Sequence, residues 1–249
     1  MQLHTSTVNP SLTVSEIVRS DYRTADVFKR YGINYCCGGN FPLQEACVQK
    51  GLNLQEVEAA LQQAIASITL SNNIQYGQWK PDFLIDYIIN IHHAYLYQTL
   101  PALQAVLISF IEGHKKKYPE LVSVQTIFMA LADSLQVHIQ NEDATIFPYL
   151  KQIINTYRRK ESYGSLFVKT MRKPLNEIIQ KEHKQITDLL MQLRVAARSY
   201  AIPDGACTNY QVILHKLKEL DNDLVQHKHL ENNILFPKVM DMEKELLQL

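Results

Sequence analysis

His138-Ile139-Gln140-Asn141-Glu142-Asp143-Ala144-Thr145-Ile146-Phe147-Pro148 and His227-Lys228-His229-Leu230-Glu231-Asn232-Asn233-Ile234-Leu235-Phe236-Pro237 are two versions of one segment. Both set His and Glu four apart, then Phe and Pro at the same later offsets. Residues four apart on a helix share a face, one turn above the other, so each segment offers an imidazole beside a carboxylate. His93 and His183 stand at nearly equal distances upstream of the two segments, each ahead of a helical run with leucines. The chain therefore reads as two helix hairpins of similar plan, each with one lone His and one His-x-x-x-Glu. Stacked, they make an up-down four-helix bundle, whose inward side chains can build a two-metal site.

The argument for metal rests on burial. Leu220, Leu224, Leu230 and Ile234 lie on the face of His227; Ile179, Ile186 and Leu190 on that of His183; Leu131 and Leu135 on that of His138. Glu142 and Glu231 share these apolar stripes. An ionised carboxylate there costs several kcal/mol unless it is paired or bound to a cation. Four imidazoles and two bridging carboxylates would give each of two ions two nitrogens and two oxygens. With an oxo or hydroxo bridge one octahedral position stays open, which suits two iron ions, or failing that manganese, better than tetrahedral zinc. Spacing does not say which histidines share an ion. His92 lies on a stripe as apolar as that of His93 and competes with it. His229 points nearly opposite to His227 and reads as solvated. His215 and His114 read as surface residues, and His4 lies in the tail. Glu182, beside His183, could orient a ligand or accept a proton; exposure is its plainer reading.

Composition agrees with helices. The 249 residues are 46% apolar with only eight glycines and nine prolines, enough core and little punctuation. Lys+Arg and Asp+Glu balance at 25 each, so no strong field attracts nucleic acid or an anionic membrane. Cys36, Cys37, Cys47 and Cys207 show no disulfide framework, which points to a reducing compartment. The polar N-terminus has no signal-peptide core, and no uninterrupted apolar run is long enough to span a bilayer. A cytoplasmic protein, monomer or homodimer, is expected.

Along the chain, a small helical domain is expected over 1–70, with Ser15 or Ser20-Asp21 as helix caps and a turn at Asn34-Tyr35-Cys36-Cys37-Gly38-Gly39-Asn40. Residues 71–81 read as a linker and 82–249 as the bundle. Its helices are expected from Asp82 to Gly113, kinked at Pro101, and from Leu121 to Tyr157, bent near Pro148. After a loop at Glu161–Ser165, the third runs from near Arg172, with Pro174 in its first turn, to before Pro203. The fourth runs from Thr208 or Asn209, bending or stopping at Pro237. Cys36 and Cys37, on an accessible turn, suit redox chemistry or docking to iron or a client; their bland reading is small apolar packing.

Tyr35-Cys36-Cys37-Gly38-Gly39 in a short helical domain, joined to this bundle, resembles the repair-of-iron-centres (RIC) family, as do Glu182-His183 and Leu230-Glu231-Asn232-Asn233-Ile234-Leu235-Phe236-Pro237. The resemblance implies a hemerythrin-like di-iron bundle with His93, His138, Glu142, His183, His227 and Glu231 as ligands and both glutamates bridging. It also places His93 rather than His92 at the first ligand position. Leu96 departs from the family where some relatives carry a second His. The implied role is restoring iron–sulfur clusters damaged by nitric oxide or peroxide, by donating iron, with damaged iron–sulfur proteins as partners. Two other readings compete: nitric oxide binding or reduction at the open iron position, and a non-enzymatic carrier or sensor of dioxygen or nitric oxide.

Overall fold

The structure, a computed structural model, describes the chain apart from residues 1–2, 5–7, 37–38, 66, 69–73, 172–174 and 249. It is all-α save for a two-residue antiparallel ribbon, Leu3–His4 with Ser67–Ile68, and a bridge between Thr13 and Pro42. Two compact units result, Met1–Ile74 with Tyr200–Leu217, and Gln75–Ser199 with Lys218–Leu249. The sequence boundaries at 70 and 82 do not anticipate that 200–217 belongs with the first unit.

The first unit holds α1 (Val14–Ser20), α2 (Thr24–Arg30), α3 (Leu43–Lys50) and α4 (Leu54–Ile65). Thr13, rather than Ser15 or Ser20, caps α1: its hydroxyl accepts from the Glu16 N–H and the Glu16 carboxylate accepts from the Thr13 N–H, at 3.2 and 2.8 Å. This reciprocal box satisfies two amides that a helix start leaves unpaired. Ser15 instead donates its hydroxyl to the Tyr35 carbonyl at 2.9 Å, and its N–H to the Gly39 carbonyl. Those bonds pin the end of the cysteine turn to α1 so closely that a side chain on Gly39 would collide with Ser15 Oγ and the Tyr35 carbonyl. Ile17, Phe28, Leu43, Val57, Leu61 and Val212 form the buried core.

In the second unit α5 (Pro81–Tyr87) runs through a π-helical stretch, Ile88–His93, into α6 (Ala94–His114). α7 (Glu120–Asn141) passes through Glu142–Ile146, also π-helical, into α8 (Phe147–Arg159). After α9 (Gly164–Met171) and α10 (Leu175–Ala196), α11 (Thr208–Leu230) passes through a third π stretch, Glu231–Leu235, into α12 (Phe236–Gln248). α7 packs on α6 and α10, and α12 on α8 and α9.

The prolines act differently from expectation. α6 continues through Pro101, and its departure from α geometry comes earlier, at Ile88–His93. At Pro148 and Pro237 the helices neither stop nor lose a turn; they widen just before. An α-helical Pro148 would press its ring on the carbonyl four residues back. Instead the Phe147 N–H reaches the Glu142 carbonyl and the Phe236 N–H the Glu231 carbonyl, each spanning five residues.

The expected loop at Glu161–Ser165 is present over 161–163, but α9 begins at Gly164, earlier than the helix expected near Arg172, and Gly164 packs closely. A Cβ on Gly164 would lie 2.8 Å from Leu246 Cδ2 and 3.3 Å from Thr156 Cγ2. Arg172 and Pro174 lie outside the described residues. The 34-residue helix Pro81–His114 is long and apolar enough to cross a membrane by length and composition. Here it places Leu84, Ile85, Ile88, Leu96 and Leu100 in the protein core.

Candidate metal centre

Three π-helical stretches each carry one of the candidate ligands at an end: His93 closes the first, Glu142 opens the second and Glu231 opens the third. Such wide turns add a residue to the helix and are common at functional sites. The second and third begin at the Glu of each His-x-x-x-Glu, leaving His138 and Glu142, like His227 and Glu231, on adjacent turns.

All six predicted side chains meet. They form two groups, His93, Glu142, His227, Glu231 and His138, Glu142, His183, Glu231, with every candidate ligand atom of a group within 4.8 Å of the others. Both carboxylates belong to both groups. The pairing left open by spacing is therefore across the hairpins, His93 with His227 and His138 with His183. His93 and Glu142 are 0% exposed, as is Glu231, and the least buried member, His183, is 5% exposed. Each imidazole turns Nε2 inward. His227 Nε2 lies 2.8 Å from Glu231 Oε1, and His183 Nε2 lies 3.5 Å from Glu231 Oε2. His93 and His138 Nε2 lie 3.3 and 3.4 Å from Glu142 Oε2. Facing imidazole nitrogens stand 3.2 Å apart for His93 and His227, and 3.1 Å for His138 and His183.

The outward nitrogens of three of the rings are held in turn. His93 Nδ1 lies 2.7 Å from Asp143, whose other oxygen accepts from the Tyr97 hydroxyl at 2.9 Å. His138 Nδ1 lies 2.9 Å from Glu182 Oε2, and His183 Nδ1 2.9 Å from Asn232 Oδ1. Acceptors on the far nitrogen fix a ligand ring's tautomer and raise its basicity. Glu182 thus serves His138 across the bundle, not its neighbour His183. Asp143 and Asn232 were not singled out in the sequence, yet each directly follows a ligand glutamate and each holds the lone His of its own hairpin. Comparing the two segments one position further would have found them.

The electrostatics show what the centre lacks without a cation. Burial, and then the Glu231 charge, push Glu142 up to about 8; burial pushes Glu231 up to about 7. Burial would lower His138, but Glu142 and the Glu182 hydrogen bond overcome it and raise it to about 9. Burial, followed by charge on neighbouring imidazoles, holds His183 and His227 down to about 3. Neither oxygen of Glu142, nor Glu231 Oε2, has a hydrogen-bond partner among the described residues. Buried carboxylate oxygens without donors, ringed by four imidazole nitrogens, fit divalent cations with mixed N/O ligation.

The other histidines stand apart from the six. His229 is exposed and contacts Asn233, His215 stacks on Tyr22, and His114 on Phe110. His92 is buried beside the centre but belongs to neither group. Leu96 is a fully buried core residue. Cys36 is half-buried, its N–H donating to Asn34 Oδ1; Cys37 lies outside the described residues.

A helical bundle with two buried His/Glu groups that share their carboxylates defines a cation-binding protein of the hemerythrin type. Residues 84–239 match the family model for the hemerythrin HHE cation binding domain, and the chain belongs to that family. Residues 11–65 match ScdA_N, a domain of unknown function (DUF542). Similar proteins include the iron-sulfur cluster repair protein ScdA of Staphylococcus haemolyticus, 27% identical over 90% of this chain and 96% of its own length. The iron-sulfur cluster repair proteins YtfE of an Enterobacter strain and of Escherichia coli O157:H7 are each 27% identical over 91% of this chain and 96% of theirs.

Proposed function

We propose that the chain is a di-iron protein that repairs iron–sulfur clusters damaged by nitric oxide or peroxide, by giving up iron from a labile carboxylate-bridged centre. The observation that carries this reading is the sharing of Glu142 and Glu231 between two buried ligand groups, in a chain whose similar proteins are named for cluster repair. His93 and His227 would hold one ion and His138 and His183 the other, each glutamate offering one oxygen to each. Iron bound there supplies the metal that a broken cluster has lost. The protein's own part is to hold it with neutral imidazoles and ionised carboxylates, and to loosen it when protons return to those groups. Cys36 and Cys37 supply a docking or thiol contact to the damaged iron–sulfur protein. The test is transfer: protein purified without air, its di-iron centre verified by Mössbauer spectroscopy, is mixed with an apo iron–sulfur acceptor. Iron should move to the acceptor; iron that stays in place through acceptor turnover would refute donation.

One feature favours a second reading, nitric oxide binding or reduction at the centre. A surface groove of about 580 Å³, lined by Ser134, Val137, Glu182 and Gln185, reaches His138 and gives a small molecule an approach. Repeated additions of nitric oxide that yield nitrous oxide and leave both irons bound would select this reading over donation.

A further inference from the structure

The two hairpins repeat one plan, and one of the points where they differ falls on His227. In the second hairpin the residue before the lone His is Glu182, which holds Nδ1 of His138 on the first hairpin. In the first hairpin the residue before the lone His is His92, and the ligand it faces on the second is His227. His227 Nδ1 is buried and has no hydrogen-bond partner among the described residues. His92 instead lies flat against the His227 ring, centroids 5.5 Å apart and planes 12° from parallel. It is 2% exposed, and its Nδ1 is fixed by Asp223 Oδ1 at 2.8 Å, from the same helix as His227. Tyr87 meets the His92 ring edge-on, centroids 5.6 Å apart.

His92 is buried and its partner Asp223 half-buried, and neither residue belongs to the ligand groups. We propose that His92, anchored by Asp223, is the positioning residue of His227, doing through its ring face what Glu182 does for His138 through a hydrogen bond. A ligand imidazole free to swing presents Nε2 to the ion for only part of the time, which weakens binding at that position alone. The proposal rests on the two-ion reading above but not on any repair activity.

The experiment is a cobalt(II) titration of the full chain, following the ligand-field bands of the first and second equivalents, with thermal unfolding of the metal-free protein as a check on folding. His92→Leu should weaken one equivalent by roughly ten- to a hundredfold and leave the other unchanged, the range seen when a ligand's supporting contact is removed. His92→Phe, which keeps a flat ring, should recover most of that loss. Glu182→Gln should weaken the other equivalent, so the double variant His92→Leu/Glu182→Gln weakens both. If His92→Leu fails to fold, Asp223→Asn, of the same shape, carries the test: it too should weaken one equivalent only. Two unchanged equivalents in a folded His92→Leu or Asp223→Asn protein would overturn the proposal. So would equal weakening of both equivalents, or a His92→Phe variant no better than His92→Leu. Failure of the unaltered chain to bind two equivalents would instead overturn the two-ion reading itself.

Discussion

At the scale of single residues, the centre is a balance between six candidate ligands and the groups behind them. Replacing Glu142 or Glu231 with Ala removes a carboxylate shared by both groups, so bound iron should fall at both positions; full iron content by metal analysis would refute the shared assignment. Asp143→Asn acts from behind His93 and should weaken iron binding by roughly tenfold, read by competition with a chelator. The protonation pattern gives a signed prediction for pH. Glu142 and Glu231, raised to about 8 and 7 from an ordinary 4.5, favour the metal-free fold while protonated, and that contribution is lost as pH climbs from 4.5 through those values. His138, raised to about 9 from 6.5, loses its contribution over the upper part of the same climb. His183 and His227, lowered to about 3, cost stability as pH falls below 6.5. Bound iron relieves the strain on the alkaline side, since it favours ionised carboxylates and neutral imidazoles. The gain in melting temperature on iron loading should therefore grow between pH 6 and 8, and iron binding at pH 7 should release protons to an indicator dye. A gain flat across that range would contradict the assignment.

Among the elements, the helices and the ligand face were legible because a repeated spacing fixes direction on a helix. His138, Glu142, His227 and Glu231 could be placed side by side from their offsets alone. What could not be read was the π turn. In sequence Pro148 reads as a bend within a continuing helix and Pro237 as a bend or a stop, because a proline's clash is local knowledge. Whether the helix stops or widens depends on packing that holds both sides in place. α8 supplies that packing with Phe147, Leu150, Ile153 and Ile154, all buried. α9 was missed for a related reason: its glycine suggests a loop until Leu246 of a distant helix is seen above it. Deleting Ala144, an exposed residue of the π stretch, should restore α pitch and turn α8 by about 100° relative to α7. Its apolar face would leave the core, so the urea midpoint should drop sharply; an unchanged midpoint would show that the wide turn is incidental.

For the molecule as a whole, tolerance to change should differ between the two ends of the second unit. Gly164→Ala forces Leu246 to shift and should cost roughly 1–3 kcal/mol by overpacking, measured by chemical denaturation, with iron content unaltered. In composition the polar stretch 71–81 separates two helical regions. The membership of 200–217 could not be read there, because nothing local marks Val212 as part of a core laid down over 140 residues earlier. There Val212 joins Phe28 and Leu43, His215 stacks on Tyr22 at 5.0 Å, and Lys216 pairs with Asp26 at 2.5 Å. The consequence concerns birth order on the ribosome. The cysteine-bearing unit is synthesised first, yet its closing segment arrives only after His93, His138 and His183 have been translated. The helices that meet Val212, His215 and Lys216 therefore wait for those contacts while His93, His138, Glu142 and His183 emerge.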